Sequence, residues 1–439
     1  MLWIDPFDPP AQSPLERVAM RICESRKDET PACHAAYAPT SMAEVSRERF
    51  VSWFGELASI GRVETGWNRL AWSPLEAEAR AWFSRTATGI GLEVRQDGAG
   101  TLWAVTPDAD RGPWVCAGSH LDTQPDGGAY DGALGVVAAL EAAATLLESE
   151  VGRRHPLAVV AFVDEEGARF RTPTFASLAI TGNLNIDAVL EVMGEAPAIY
   201  GVTRDSLLAS REQLEHVGCF FEVHVEQGRN LVDRDLALGI ADVLAPRQRH
   251  HVQFEGEANH AGTTAMANRH DALLPAARFV LAVDEVARSH PGAVGTVGRL
   301  EVAPGSTNSV PGHVGASLDV RALEVAAVDG IVEELRQRFP EAAFSQHARN
   351  DGAAFDPGLR KLLAEAAEGR GVAAGDLPSY AGHDAGILAP YVPSAMVFVR
   401  NPTGASHAPA ESASESDCVA AVQVLTDALA AALAAETTT

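Results

Sequence analysis

Two periodicities alternate along this chain. "SRERFVSWFGELASIG" (46–61) repeats its apolar residues at three- and four-residue spacing, and "SPLEAEARAWFSRTATGIG" (73–91) does so again up to a glycine, so both predict helices. "LEVRQDGAGTLWAVT" (92–106) places extended runs on either side of a Gly-containing turn and predicts a hairpin. "WVCAGS" (114–119) and "LAVVAFV" (157–163) are short apolar runs of the buried-strand kind. Between them "DGALGVVAALEAAATLLES" (131–149) is apolar almost all round, which predicts a helix buried on every side. Strand, helix, strand in that order predicts a parallel βαβ unit.

The texture changes near residue 240. "HHVQFEGEANHAG" (250–262), "GAVGTVGRLEVAPGSTNSVPGHVGASLDVR" (292–321) and "AAFSQHA" (342–348) predict strands, with helices over "ALLPAARFVLAVDEVARSH" (272–290) and "VAAVDGIVEELRQRF" (325–339). After Asp351 the helical pattern resumes in "DPGLRKLLAEAAEG" (356–369) and ends in an Ala-rich helix. The expected fold is α/β with two domains. A catalytic domain over 46–239 plus 352–439 has a mixed, mostly parallel sheet flanked by helices, and an α+β domain over 240–351 is inserted into it. Residues 1–45 are Pro-rich, with one possible helix near 14–25, and read as an extension.

Composition narrows the function. A chain of 439 residues exceeds one ordinary core. A net charge of −25 speaks against nucleic acid or an anionic membrane as partner. No signal peptide is expected in "MLWIDPFDPPAQSP", and no uninterrupted apolar run reaches the roughly 18 residues that predict a membrane span. The five cysteines are scattered without a CxxC pair, the pattern of reduced thiols in a cytoplasmic protein, and Cys116 is expected in the core.

The chemistry concentrates in "GSHLDTQPDGGAYDGALG" (118–135). His120 closes a strand at its carboxyl end, where open α/β sheets build their sites. Asp122 is placed to hydrogen-bond the other imidazole nitrogen. Asp131 is either a metal ligand or the N-cap of the helix that follows. The neighbouring strand ends in "DEEG", so Asp164, Glu165 and Glu166 are expected beside His120. Buried together, such acids need a counter-ion. "FFEVHVEQG" puts His224 and Glu226 at alternate strand positions, and "NPTGASHAPAE" puts His407 in a turn after the strand "AMVFV". Each histidine taken singly reads as structural. Together His120, Asp131, Glu166, His224 and His407 offer nitrogen and carboxylate ligands suited to zinc or a similar divalent ion. Five ligands exceed one tetrahedral ion's need, and a bridging carboxylate would serve two ions about 4 Å apart.

These motifs, with "GGAYDGALGV", "DEEGARF", "HVEQG", "NHAGTTAM", "GRLEVAPGSTNSVPG", "LDVR", "GHDA" and "SHAPAE", resemble the amidase branch of the M20 metallohydrolases from about Ser46 to the end. That branch comprises N-carbamoyl-L-amino-acid hydrolases, allantoate and ureidoglycolate amidohydrolases and β-ureidopropionases. The resemblance implies two divalent ions per subunit, zinc first, with manganese, cobalt or nickel as alternatives. His120, Asp131 and His224 would hold one ion, and Asp131, Glu166 and His407 the other. Glu165 would be the general base and acid, and Asp122 would orient His120. Histidine rather than a carboxylate at 224 favours carbamoyl or ureido substrates over peptides. The inserted domain would be a lid that also forms a homodimer, with His260 lent to the partner's site. Gln227, Asn308, Arg321 and Gly382 resemble substrate contacts, and His383 would shape the pocket. For Arg321 the competing assignment is an ion pair with Asp319, its i+2 strand neighbour. The segment "RTPTFASLAITGNL" (171–184) departs from the Gly/Ser-rich stretch usual in the family, and it is expected to border the substrate. The implied reaction is hydrolysis of the carbamoyl C–N bond of an N-carbamoyl-L-amino acid, releasing amino acid, ammonia and carbon dioxide. Allantoate or ureidoglycolate is the alternative substrate. An M20 aminopeptidase or aminoacylase and a non-catalytic binding relative are weaker alternatives.

Overall fold

A computed structural model describes residues 43–435, apart from 108–111, 150–151 and 153–154. The expected helix near 14–25 and the thiols Cys23 and Cys33 lie outside the described residues.

Ser46 caps α1 (Arg47–Ser59) by accepting the Arg49 N–H, and Ser73 caps α2 (Pro74–Gly89) in the same way through Glu76. The hairpin is β1 (Glu93–Gln96) against β2 (Leu102–Val105). The βαβ unit is β3 (Trp114–His120), α3 (Ala133–Leu147) and β4 (Leu157–Phe162), with β3 and β4 parallel from Val115 beside Leu157 to His120 beside Phe162. Next come the short helix α4 (Phe175–Thr181), β5 (Val217–Val225) and β6 (Leu238–Leu244). Then follow β7 (Arg247–Glu255), α5 (Leu273–Ser289), β8 (Val294–Thr296), β9 (Leu300–Ala303), β10 (His313–Arg321), α6 (Val325–Arg338) and β11 (Ala343–Asn350). The chain closes with α7 (Pro357–Gly369), β12 (Ala374–Ser379), α8 (Asp384–Leu388), β13 (Ser394–Val399) and α9 (Glu415–Ala435).

The described residues divide into two compact units. Val243–Ala353 is one, and the residues before and after it form the other. The larger unit holds a nine-stranded sheet in the order Ala353–Ala354, β6, β13, β5, β3, β4, β2, β1, with β12 beside β6. The four central strands β13, β5, β3 and β4 are parallel. At the flanks β6 pairs antiparallel with β13, β2 with β4, and β1 with β2, so the pairing is parallel at the centre of the sheet and antiparallel toward its edges. Because the four central strands share a direction, His120, the 164–166 acids, His224 and the segment after Val399 all emerge at one sheet edge.

Every residue of α3 from Ala133 to Leu146 is buried, because the helix packs on β3, α1 and α9 together. Its one charge, Glu141, faces Arg49 of α1 through two bonds, Arg49 Nε to Oε2 at 2.6 Å and Nη2 to Oε1 at 2.8 Å. Helix α9 is the one helix among the described residues long and apolar enough to cross a membrane by composition, yet it lies mostly buried against α3 and α7. Cys116, Cys219 and Cys418 are buried. The smaller unit is an antiparallel five-stranded sheet in the order β8, β10, β7, β11, with β9 on β10. Val252 and Phe254 of β7 and Val314, Ala316, Leu318 and Val320 of β10 pack with α5 and α6 into its own core.

Candidate metal centre and active site

His120, the last residue of β3, is fully buried. Its Nδ1 lies 3.0 Å from the backbone oxygen of Asp122. A carbonyl can only accept, so Nδ1 carries the proton and Nε2 presents a lone pair. His224 near the end of β5 repeats the device, with Nδ1 2.9 Å from the Val225 oxygen. Both free nitrogens converge on one atom: Asp131 Oδ1 is 3.2 Å from His120 Nε2 and 3.1 Å from His224 Nε2. His120 Nε2 makes no hydrogen bond. With both rings neutral, two lone pairs aimed at a carboxylate oxygen repel unless a proton or a metal ion sits among them, and His224 Nε2 is within hydrogen-bonding distance of that oxygen.

The other oxygen of Asp131 faces a second group. Asp131 Oδ2 lies 3.7 Å from His407 Nε2, which is 3.5 Å from Glu166 Oε2. Asp131 is not the cap of α3, since that position is Gly132 and no side chain bonds there. Among the described residues, two sets of donor atoms are spaced to hold a metal, His120–Asp131–His224 and Asp131–Glu166–His407. They share Asp131, and their imidazole and carboxylate donors suit a borderline divalent ion. Glu166 Oε1 is buried with no hydrogen-bond partner.

The electrostatics agree with a cation-binding role. Burial pushes the Glu165 carboxyl well above its ordinary range, with Glu166, Asp384 and Asp131 adding to the effect against His120. Burial and Asp131 raise Glu166 to about 8. Burial opposes charge on His224, but Asp131 outweighs it and lifts the ring to about 9. Asp131 is itself buried, yet the two imidazoles hold it well below the usual carboxylate range. Protons occupy a cluster whose acids crowd one another.

Asp122 acts differently from expectation. Its backbone oxygen orients His120, while its carboxylate stands 3.6 Å from Nδ1. The carboxylate instead accepts the N–H groups of Glu165 at 3.2 Å and Glu166 at 3.1 Å. It therefore pins the loop carrying both glutamates, and Glu165 Oε2 stands 3.7 Å from His120 Nε2. The divergent 171–184 segment folds back on the same loop, with Thr174 N–H donating to the Glu165 oxygen at 2.6 Å and Phe175 N–H to that of Asp164 at 3.1 Å.

Gln227 donates to Asp131 Oδ2 at 2.9 Å and lies 3.4 Å from His407 Nε2. His383 is buried with its ring 4.4 Å from that of His224. At Gly382 a Cβ would meet nothing within 4 Å, so the backbone there is open. His260, Asn308 and Arg321 belong to the smaller unit. His260 Nδ1 accepts the N–H of Gly262 at 3.1 Å and of Thr263 at 3.2 Å, which leaves the proton on Nε2. The residue after it, Ala261, donates to the Asn308 oxygen at 2.8 Å. Arg321 does pair with Asp319, through Nε at 2.9 Å and Nη2 at 3.1 Å, and Asp319 is also held by Arg249 at 2.7 Å.

Three contacts escaped the sequence. Gln124 donates to Glu166 Oε2 at 2.9 Å. Glu222, two residues before His224 on the same strand face, accepts from Ser119 at 2.7 Å and from the Ala385 N–H at 3.0 Å. Glu411 reaches the loop of Asp131. The period-two spacing of Glu222, His224 and Glu226 was the available signal for one of them. The others bridge residues far apart in the chain.

The model of peptidase family M20/M25/M40 matches residues 116–431. An N-carbamoyl-L-amino acid amidohydrolase of Geobacillus stearothermophilus is 34% identical over 401 residues, covering 87% of this chain and 97% of its own length. An allantoate amidohydrolase of Bacillus subtilis is 29% identical over 87% of this chain and 95% of its own. The crystal structure of an amidase of the hydantoinase/carbamoylase family from Burkholderia multivorans superposes with a TM-score of 0.77 at 31% identity, over 88% of this chain and 98% of that one.

Proposed function

The chain belongs to peptidase family M20/M25/M40, a family of metal-dependent hydrolases, and on that premise we propose that it is an amidohydrolase cleaving the carbamoyl C–N bond of N-carbamoyl-L-amino acids. The strongest support is the convergence of His120, Asp131 and His224 on one side and of Asp131, Glu166 and His407 on the other, in a chain with a relative named for that reaction. Those residues would hold two divalent ions, zinc first and manganese, cobalt or nickel as alternatives. Ions so held polarise a carbonyl and bring the pKa of a water toward neutrality.

The remaining chemistry belongs to the chain. Glu165 takes a proton from the water as it attacks the carbamoyl carbon and returns it to the leaving nitrogen. Asp122 holds Glu165 and Glu166 by their backbone, so the base keeps its place as its charge changes. His260, with its proton on Nε2, donates to the developing oxyanion. Arg321, its guanidinium plane set by Asp319, grips the substrate carboxylate with Asn308. Gln227, Gly382 and His383 line the substrate pocket. The amino acid leaves, and the carbamate that remains breaks down to ammonia and carbon dioxide.

The smaller unit would act as a lid and form a homodimer. Helix α5 leaves Leu274 and Leu281, seven residues apart on one face, 52% and 71% exposed, and Met266 nearby in sequence is 73% exposed. Allantoate is the alternative substrate, favoured by the allantoate amidohydrolase relative. The deciding assay is ammonia release from N-carbamoyl-L-amino acids, allantoate, ureidoglycolate, β-ureidopropionate and a dipeptide, after chelation and return of each metal. Ammonia from the first group, lost on chelation, is the expected result. Cleavage of the dipeptide with no ammonia from any carbamoyl or ureido compound would reject the proposal.

A further inference from the structure

We propose that Glu411 is a positioning residue that locks Asp131 against His407 and so sets the affinity of the Asp131–Glu166–His407 group for its cation, an inference that rests on the two-cation proposal above. Glu411 is 4% exposed. Its Oε1 accepts the backbone N–H of Tyr130 and of Asp131, each at 3.0 Å. These two donors lie just before Gly132, the cap position of α3, and find their acceptor in a residue 281 and 280 positions away.

Gly128 makes the approach possible. A Cβ there would stand 2.1 Å from Glu411 Oε1 and 2.4 Å from its Cδ. The glycine is needed for closeness: the Glu411 side chain lies across the loop where any larger residue would put its own.

Glu411 is also the far end of the segment that carries His407. At its start, Asn401 donates to the oxygens of Glu226 at 3.1 Å and Ala405 at 2.7 Å, which ties it to the end of β5. The Thr403 hydroxyl donates to the Ala410 oxygen at 2.8 Å and closes the loop on itself. His407 stands between these anchors with a positive φ of 53°. His120 and His224 sit on the central strands β3 and β5 and keep their geometry without Glu411. His407 sits on a loop, and its distance from Asp131 depends on how that loop is fastened. Loss of Glu411 should therefore weaken the second group far more than the first.

The test is equilibrium dialysis of the full chain against buffered free zinc, with metal content measured at each concentration, for wild type, Glu411→Ala, Glu411→Gln, Gly128→Ala and the double variant Gly128→Ala/Glu411→Ala. Wild type should bind two ions. Glu411→Ala should lose roughly ten- to hundredfold in affinity for one ion, the usual effect of removing a partner behind a ligand, with the other ion, held also by His120 and His224, weakened less. Glu411→Gln keeps the accepting oxygen and should retain both ions. Gly128→Ala should reproduce the defect while leaving the carboxylate in the chain, and it serves if Glu411→Ala fails to fold. The double variant should be no worse than either single one. Equal weakening of both ions, or wild-type binding in Glu411→Ala and Gly128→Ala, would overturn the assignment alone. A wild type that binds one ion would overturn the two-cation proposal and this assignment with it.

Discussion

At His120 there is almost no spare room. Gly132 has a φ of 64°, and a Cβ on it would lie 2.4 Å from both Cε1 and Nδ1 of the ring. Gly132→Ala therefore meets a disfavoured backbone, which costs about 1–3 kcal/mol, and a clash at once. Metal content and kcat/KM should fall together, read by metal analysis and steady-state kinetics. Glu165→Gln tests the other half of the site. It should keep both ions and lose roughly 10²- to 10⁴-fold in kcat, the contribution usual for general acid–base catalysis; a variant of near-full rate would end the general-base assignment. At this scale the sequence shows which residues carry chemistry but not how they carry it. "GSHLDT" marks Asp122 as a partner of His120, yet the structure gives that task to its backbone oxygen and turns the carboxylate to Glu165 and Glu166. Nothing in the spacing could say which oxygen points where.

Among the elements, α3 shows how a buried charge is accommodated. Glu141 is buried within a helix that is otherwise apolar along its buried length, apart from Thr145, and Arg49 of α1 meets it with two bonds. Arg49→Ala leaves the carboxylate without its cation and should lower the unfolding free energy of the larger unit by about 3 kcal/mol. The double variant Arg49→Ala/Glu141→Leu should recover part of that loss. Tryptophan fluorescence in urea reports the larger unit selectively, because no tryptophan lies within 243–353. The elements themselves were largely legible. Short continuous apolar runs marked β3 and β4, a run apolar almost all round marked α3, and amphipathic runs marked the helices of the smaller unit, because burial of one face or of all faces leaves its imprint on composition. The antiparallel flank β6 was not legible, since strand direction depends on which neighbour the chain returns to. Glu141 within α3 gave no sign of a partner in α1.

For the whole molecule, the smaller unit carries its own pH response. Burial, with Arg336 and His347 adding, holds His250 down at about 4, against its ordinary 6.5. The unfolded chain then binds the proton more readily than the folded one between those values. Stability is full above pH 6.5 and declines as pH falls toward 4. Hydrogen exchange of the β7 and β10 amides, corrected for intrinsic rates, should show that decline, and His250→Phe should flatten it. The proposed homodimer makes a separate prediction. Inactive Glu165→Gln and His260→Ala proteins, mixed and allowed to exchange subunits, should regain part of the activity if one subunit lends His260 to its partner. No recovery with exchange verified would reject the sharing.

From its order of residues alone, the chain determined its element types, its division of texture near residue 240 and the identity of the side chains able to bind a cation. Those properties follow from local spacing and composition. Tertiary structure decided which oxygen of Asp131 faces which histidines and that Glu411 reaches back to the loop before α3. Each depends on a distance between residues remote in the chain, and such distances exist only once parallel strands bring their carboxyl ends to one edge.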